Sequence, residues 1–112
     1  MTKTLVPTIP TDKDCIVHQV DTNRLLGMSI LLNDFVLAKP FNPLKDCNDG
    51  LFIFELEGKT YCRYVKFGQP NKNYIDIYGL PETGNMAQAE FEARFEQSEI
   101  NILGKVFAVM TP

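Results

Sequence analysis

Apolar runs rich in β-branched and aromatic residues, separated by turn formers and in one segment alternating strictly with polar residues, predict a mostly β domain. The clearest case runs from Asn48 to Phe67. Two runs rich in β-branched and aromatic residues, Leu51–Glu57 and Thr60–Phe67, flank Glu57-Gly58-Lys59, and glycine in so short a connection signals a tight β-hairpin. Asn73-Tyr-Ile-Asp-Ile-Tyr alternates strictly, setting Tyr74, Asp76 and Tyr78 on one face and Ile75 and Ile77 on the other, the mark of a half-buried strand. Cys15–Val20 reads as a first strand and Phe35–Lys39 as a second, ended by Pro40 and the turn-forming Asn42-Pro43. Ile100–Met110 is a closing strand, with Gly104 expected at a bulge or a close backbone contact.

One segment has a helical rhythm. Met86, Ala89, Ala93 and Phe95 are interleaved with Glu90, Glu92 and Arg94, and Gly84-Asn85 offers a cap, which predicts a short helix over Met86–Phe95, with a mobile or irregular loop as the alternative because the apolar spacing is imperfect. Residues 1–13 carry two prolines and several threonines and read as an extended arm in front of a β domain over residues 14–112. The expected architecture is a compact β fold of several short strands and hairpins with at most one short helix. There is no internal repeat and no low-complexity tract.

Length and composition narrow the function classes. The chain has 112 residues, 45% of them hydrophobic, which suits one domain with one core and leaves no room for a separate DNA-reading headpiece. A net charge of -3 argues against a phosphate-backbone surface, so nucleic acid is not an expected partner. No apolar run approaches a membrane span, and the N-terminus lacks the apolar core of a secretion signal, so a cytoplasmic protein is expected. Cys15, Cys47 and Cys62 are odd in number and widely spaced, which indicates neither a disulfide framework nor a metal site; they read as buried free thiols. His18 is the single histidine; a Cys/His dyad with Cys15 or Cys62 is weaker than a strand histidine. Asp46, Asn48 and Asp49 lack the ligand spacing of a calcium loop and read as turn formers. Glu82, Glu90, Glu92, Glu96 and Glu99 read as a solvated acidic face. No cofactor is expected.

Taken in order, several segments resemble the C-terminal domains of LexA, the lambda-type phage repressors and UmuD. Asn33-Asp34-Phe35-Val36-Leu37-Ala38 is similar to that family's Gly-Asp-hydrophobic strand, and Asn48-Asp49-Gly50-Leu51 to its Asn-Gly or Asp-Gly turn. Tyr61-Cys62-Arg63-Tyr64 stands where the family has Val-Lys-Arg-Leu. Ile75–Pro81 resembles the strand leading to Leu-x-Pro, and Ile100–Val106 the terminal Ile-x-Gly-x-Val strand. The resemblance spans about Val17 to Met110.

This resemblance implies a Ser/Lys peptidase fold, in which a desolvated neutral lysine takes a proton from a serine hydroxyl that then attacks a peptide bond. Here Cys62 occupies the lysine position, with Arg63 beside it, and neither a thiol nor a permanent guanidinium is a comparable base. Lys59 would point to the other face of the strand. Lys66 shares the face of Cys62 but lies roughly 13 Å along it, and Lys39 ends another strand. Gly27-Met28-Ser29-Ile30 resembles the family's Gly-x-Ser-Met element, which makes Ser29 the candidate nucleophile. Ser29 is nearer to Asp34 than the family spacing implies, however; an ungapped match puts the serine position at Arg24, and Thr22 fits only with an insertion. The Ala-Gly or Cys-Gly bond that self-cleaving members carry is missing between Met1 and Val20.

The expectation is therefore a non-catalytic relative that acts by association, as a homodimer or with a repressor or other regulatory protein. Ile100, Ile102, Val106, Phe107 and Val109 of the closing strand are its expected dimer surface. The competing reading is an active Ser/Lys peptidase using Ser29, with Thr22, Lys66 and Lys39 as further candidates. A third is a small-ligand pocket with Cys62 on its wall.

Overall fold

The structure, a computed structural model, describes residues 15–68, 73–80 and 89–111. Seven strands, β1 (Ile16–Gln19), β2 (Phe35–Pro40), β3 (Gly50–Leu56), β4 (Lys59–Phe67), β5 (Tyr74–Gly79), β6 (Glu90–Glu96) and β7 (Asn101–Met110), form one curled antiparallel sheet. Their order is β1-β2-β7-β3-β4-β5-β6, so the strand last in sequence lies between β2 and β3. The fold is mostly β, as the apolar runs and turn formers of the sequence predict. The hairpin turn is tighter than Glu57-Gly58-Lys59: Leu56 pairs with Lys59, and the two linking residues, Glu57 (φ 52°) and Gly58 (φ 81°), are both left-handed. Two left-handed residues match the twist of the flanking strands, which is why a glycine stands there.

Burial explains the long apolar run in β3. Leu51, Phe52, Ile53 and Phe54 are all buried, because the middle of the sheet is covered on both faces and successive side chains enter two different cores. One core gathers Val20, Leu25, Ile30, Val36, Ala38, Leu51, Ile53 and Cys62 beneath the connection from β1 to β2, which includes a short 3-10 helix, Leu26–Met28. The other holds Phe52, Phe54, Val65, Phe67, Ile75, Ile77 and Ile100. There Phe41, Phe52 and Phe67 meet with centroids 5.6–6.4 Å apart, two of the pairs edge-to-face and one stacked.

The β1–β2 connection is fastened to the far half of the sheet. The Leu80 amide donates to the Arg24 carbonyl (2.5 Å), and the Gly27 amide donates to the Leu80 carbonyl (2.6 Å). The same connection turns at Asn33, held at φ 76°, and at Asp34, whose buried carboxylate accepts the Leu31 amide at 2.9 Å. Asparagine is among the few residues other than glycine that tolerate this backbone region.

The described part of the expected helix over Met86–Phe95 is not helical: Glu90–Glu96 is strand β6, paired with β5 through Ile77↔Ala93 and Ile75↔Phe95, while residues 86–88 lie outside the described residues. The β5 edge pairs with six of the seven β6 residues, whereas the imperfect 3.6-residue spacing offers a helix little apolar face. The expected cap at Gly84-Asn85 and the arm over residues 1–13 lie outside the described residues. Gly104 is a close contact: a Cβ there would sit 2.5 Å from the Lys39 carbonyl oxygen and 2.9 Å from the Ala38 Cβ. A register shift follows immediately, Ile53 pairing with Gly104 and Phe54 with Ile102. Among the described residues no helix is long and apolar enough to cross a membrane.

Candidate functional site

Cys62 lies on β4 opposite Ile53, and only 2% of its surface is exposed. The residues around it are aliphatic, with Val20, Leu25 and Ile30 of the β1–β2 connection forming the lid. Burial pushes the thiol pKa from an ordinary 9.0 up to about 12, against a smaller opposing influence from the Arg63 guanidinium. The thiol is therefore neutral, enclosed, and neither a base nor a nucleophile at physiological pH.

The hydroxyl candidates belong to the same lid but face other tasks. Ser29 is exposed and left-handed (φ 61°), and it terminates the 3-10 helix by donating its amide to the Leu26 carbonyl. Thr22 Oγ1 accepts the Arg24 amide at 3.2 Å, a local turn bond. No hydrogen bond among the described residues joins a lysine to either hydroxyl. Lys66 pairs across the ladder with Asp76 and sits over the Tyr78 ring at 5.0 Å; Lys39 sits over Phe107 at 5.7 Å, and Lys59 over Tyr61 at 5.3 Å. Val20, Leu25 and Ile30, from the segment that carries Ser29, thus pack with Cys62, and no lysine of the described residues joins that cluster.

Arg24, at the ungapped serine position, has a structural partner instead. Its Nε donates to Glu92 (2.7 Å) and its Nη2 pairs with Glu90 (3.0 Å), while Arg63 Nε reaches the other oxygen of Glu92 at 3.0 Å. The bond to Glu92 is the main cause of the raised Arg24 pKa. This network ties the lid to β6 and β4, so the acidic residues of β6 are not simply a solvated face. Sequence reasoning missed it because Glu92 occupies the extra position where β6 slips register between Ile77 and Tyr78, which no local pattern announces. Beside the network, Leu56, Tyr61, Arg63, Glu92 and Phe95 line part of a groove of about 130 Å³, which does not include Cys62.

His18 is half-buried on β1, and its Nε2 is enclosed without a hydrogen-bond partner among the described residues. Burial lowers its pKa, Asp21 partly opposes this, and Arg63 reinforces it. Because the folded-state pKa lies below the unfolded one, its contribution to stability is present above about pH 6.5 and is lost as pH falls through the folded-state value. Of the expected dimer-surface residues, Ile100 is buried, and Ile102 and Val106 are half-buried against the two cores. Phe107, 51% exposed, and Val109, 42% exposed, remain open on β7. Among the described residues no cluster of His, Cys, Asp and Glu could hold a metal ion. No protein-family model matches the chain, and no curated protein matches it.

Proposed function

We propose that this chain is a non-catalytic module of the LexA, phage-repressor and UmuD type, acting through association with itself or with a regulatory protein. The observation that carries the reading is the state of Cys62. Val20, Leu25 and Ile30, from the segment that carries Ser29, pack with Cys62, and the residue that the resemblance sets in the lysine's place is a sealed, neutral thiol. The left-handed Asn33 before buried Asp34 also supports it, since Asn33 stands where the family has glycine. With no lysine among the described residues bonded to Ser29 or Thr22, proton removal from a hydroxyl has no agent there, and what remains is a rigid scaffold with apolar side chains outside. Phe107 and Val109 on β7 form the proposed contact surface.

Light scattering on a size-exclusion column across a dilution series tests this reading. A concentration-dependent dimer that Phe107→Ser weakens is the expected result; a monomer at every concentration would remove self-association. Incubation at alkaline pH separates the peptidase reading: this chain stays intact, and cleavage abolished by Ser29→Ala would restore the enzyme.

A further inference from the structure

A second feature lies beside Phe107, at the paired ends of β2 and β7. Lys39 and Lys105 are directly opposite each other in the β2–β7 ladder, and both line an open cleft of about 440 Å³. Like charges facing each other across a strand pair are destabilising, yet neither ammonium makes an ion pair with a carboxylate among the described residues. Each is held in place by other means. Lys39 Nζ rests over the Phe107 ring at 5.7 Å; Lys105 Nζ rests over the Phe52 ring at 5.7 Å and donates to Asn48 Oδ1. Gly104 lets the two strands approach closely at this end, because any side chain there would meet the Lys39 carbonyl.

The loop after β2 adds a third cation. Asp46 Oδ2 accepts the Asn42 amide at 2.9 Å, Asn42 Oδ1 accepts the Leu44 amide at 2.9 Å, and the Asp46 amide returns to the Asn42 carbonyl at 2.8 Å. These bonds fold the loop so that Lys45 lines the same cleft. Three lysines against the one carboxylate of Asp46 leave the cleft positive in a chain whose net charge is -3. Its volume lies in the range of small-molecule sites, about 300–1,000 Å³.

We infer that Lys39, Lys45 and Lys105 form a binding site for a small anion carrying two or more negative charges, which bridges the opposed lysines. The shared chemistry is oxygen-rich anionic groups, either phosphoryl or clustered carboxylate. An ammonium binds both as a point charge. The site is separate from the Cys62 region, and it borders the proposed contact surface at Phe107, which lines the cleft.

Calorimetric titration of the intact chain with pyrophosphate and with citrate at low ionic strength tests the inference, alongside thermal unfolding in each anion. Saturable binding that raises Tm and weakens with added salt is expected for at least one anion, and a preference of about tenfold for one of them assigns the source. The double variant Lys39→Gln/Lys105→Gln should lose about tenfold or more of the affinity, while Lys59→Gln, at the start of β4, binds as the parent does. Without anion the double variant should melt no lower than the parent, because a repulsion has been removed. Absence of saturable binding to both anions, or equal binding by the double variant, would overturn the inference.

Discussion

If Cys62 is a sealed, neutral thiol, the folded protein must resist its ionisation, and that resistance has a size. The gap between 9.0 in the open chain and about 12 in the fold corresponds, at ~1.4 kcal/mol per pKa unit, to about 4 kcal/mol. At pH 8 the thiolate fraction of Cys62 in the fold is then about a thousandfold below that of an open-chain cysteine. Native-state alkylation with iodoacetamide, read by mass spectrometry, should modify the half-buried Cys15 and Cys47 well before Cys62. Stability follows with a definite sign. The folded-state pKa lies above the unfolded one, so the contribution of Cys62 is complete below about pH 9 and is lost as pH rises toward about 12. By roughly pH 10.5 the loss reaches about 2 kcal/mol. Cys62→Ala, costing about 1 kcal/mol at neutral pH, cannot lose this contribution, so its urea midpoint should fall less steeply between pH 7.5 and 10.5 than the parent's. Parallel falls for the two proteins, or alkylation of folded Cys62 as fast as Cys15 and Cys47, would refute the enclosed-thiol reasoning.

Gly104→Ala should destabilise by about 2 kcal/mol or more, lowering Tm by roughly 10 °C, because its Cβ would meet a backbone oxygen that moves only if β2 and β7 separate. Gly50→Ala is the control, since its nearest contact is the flexible end of Lys105 at 3.3 Å. Asn33→Ala should cost about 1 kcal/mol in denaturant unfolding, because φ 76° disfavours a plain Cβ, whereas Asn33→Gly should be close to neutral. Glu92→Ala leaves Arg24 and Arg63 without their shared carboxylate and should cost about 1–2 kcal/mol, measured by urea unfolding. Added salt should narrow that difference, since Arg24 is partly solvated.

The strands were legible where one face is buried and neighbours alternate. Tyr74, Asp76 and Tyr78 do share the face opposite Ile75 and Ile77, and Glu57-Gly58 announces its own hairpin. β6 was not legible as a strand, because Met86, Ala89 and Ala93 imitate helical spacing and the deciding partner, β5, enters only through long-range pairing. The identity of the residue at Cys62 was visible in the sequence. Its enclosure was not, because the lid is made by Val20, Leu25 and Ile30 from a different part of the chain. The opposition of Lys39 and Lys105 was likewise hidden, since it depends on the register of two strands far apart in sequence.

The place of β7 between β2 and β3 also has a consequence for how the chain comes to be folded. β1–β2 and β3 through β6 can each form from near neighbours, but no strand hydrogen-bonds the two groups together until β7 is available. On a ribosome the finished sheet must therefore wait for the final strand to emerge, with the inner edges of β2 and β3 open until then. The buried run Leu51–Phe54 lies on one of those edges, which makes the interval before β7 arrives the period when a nascent chain is most in need of protection by a chaperone.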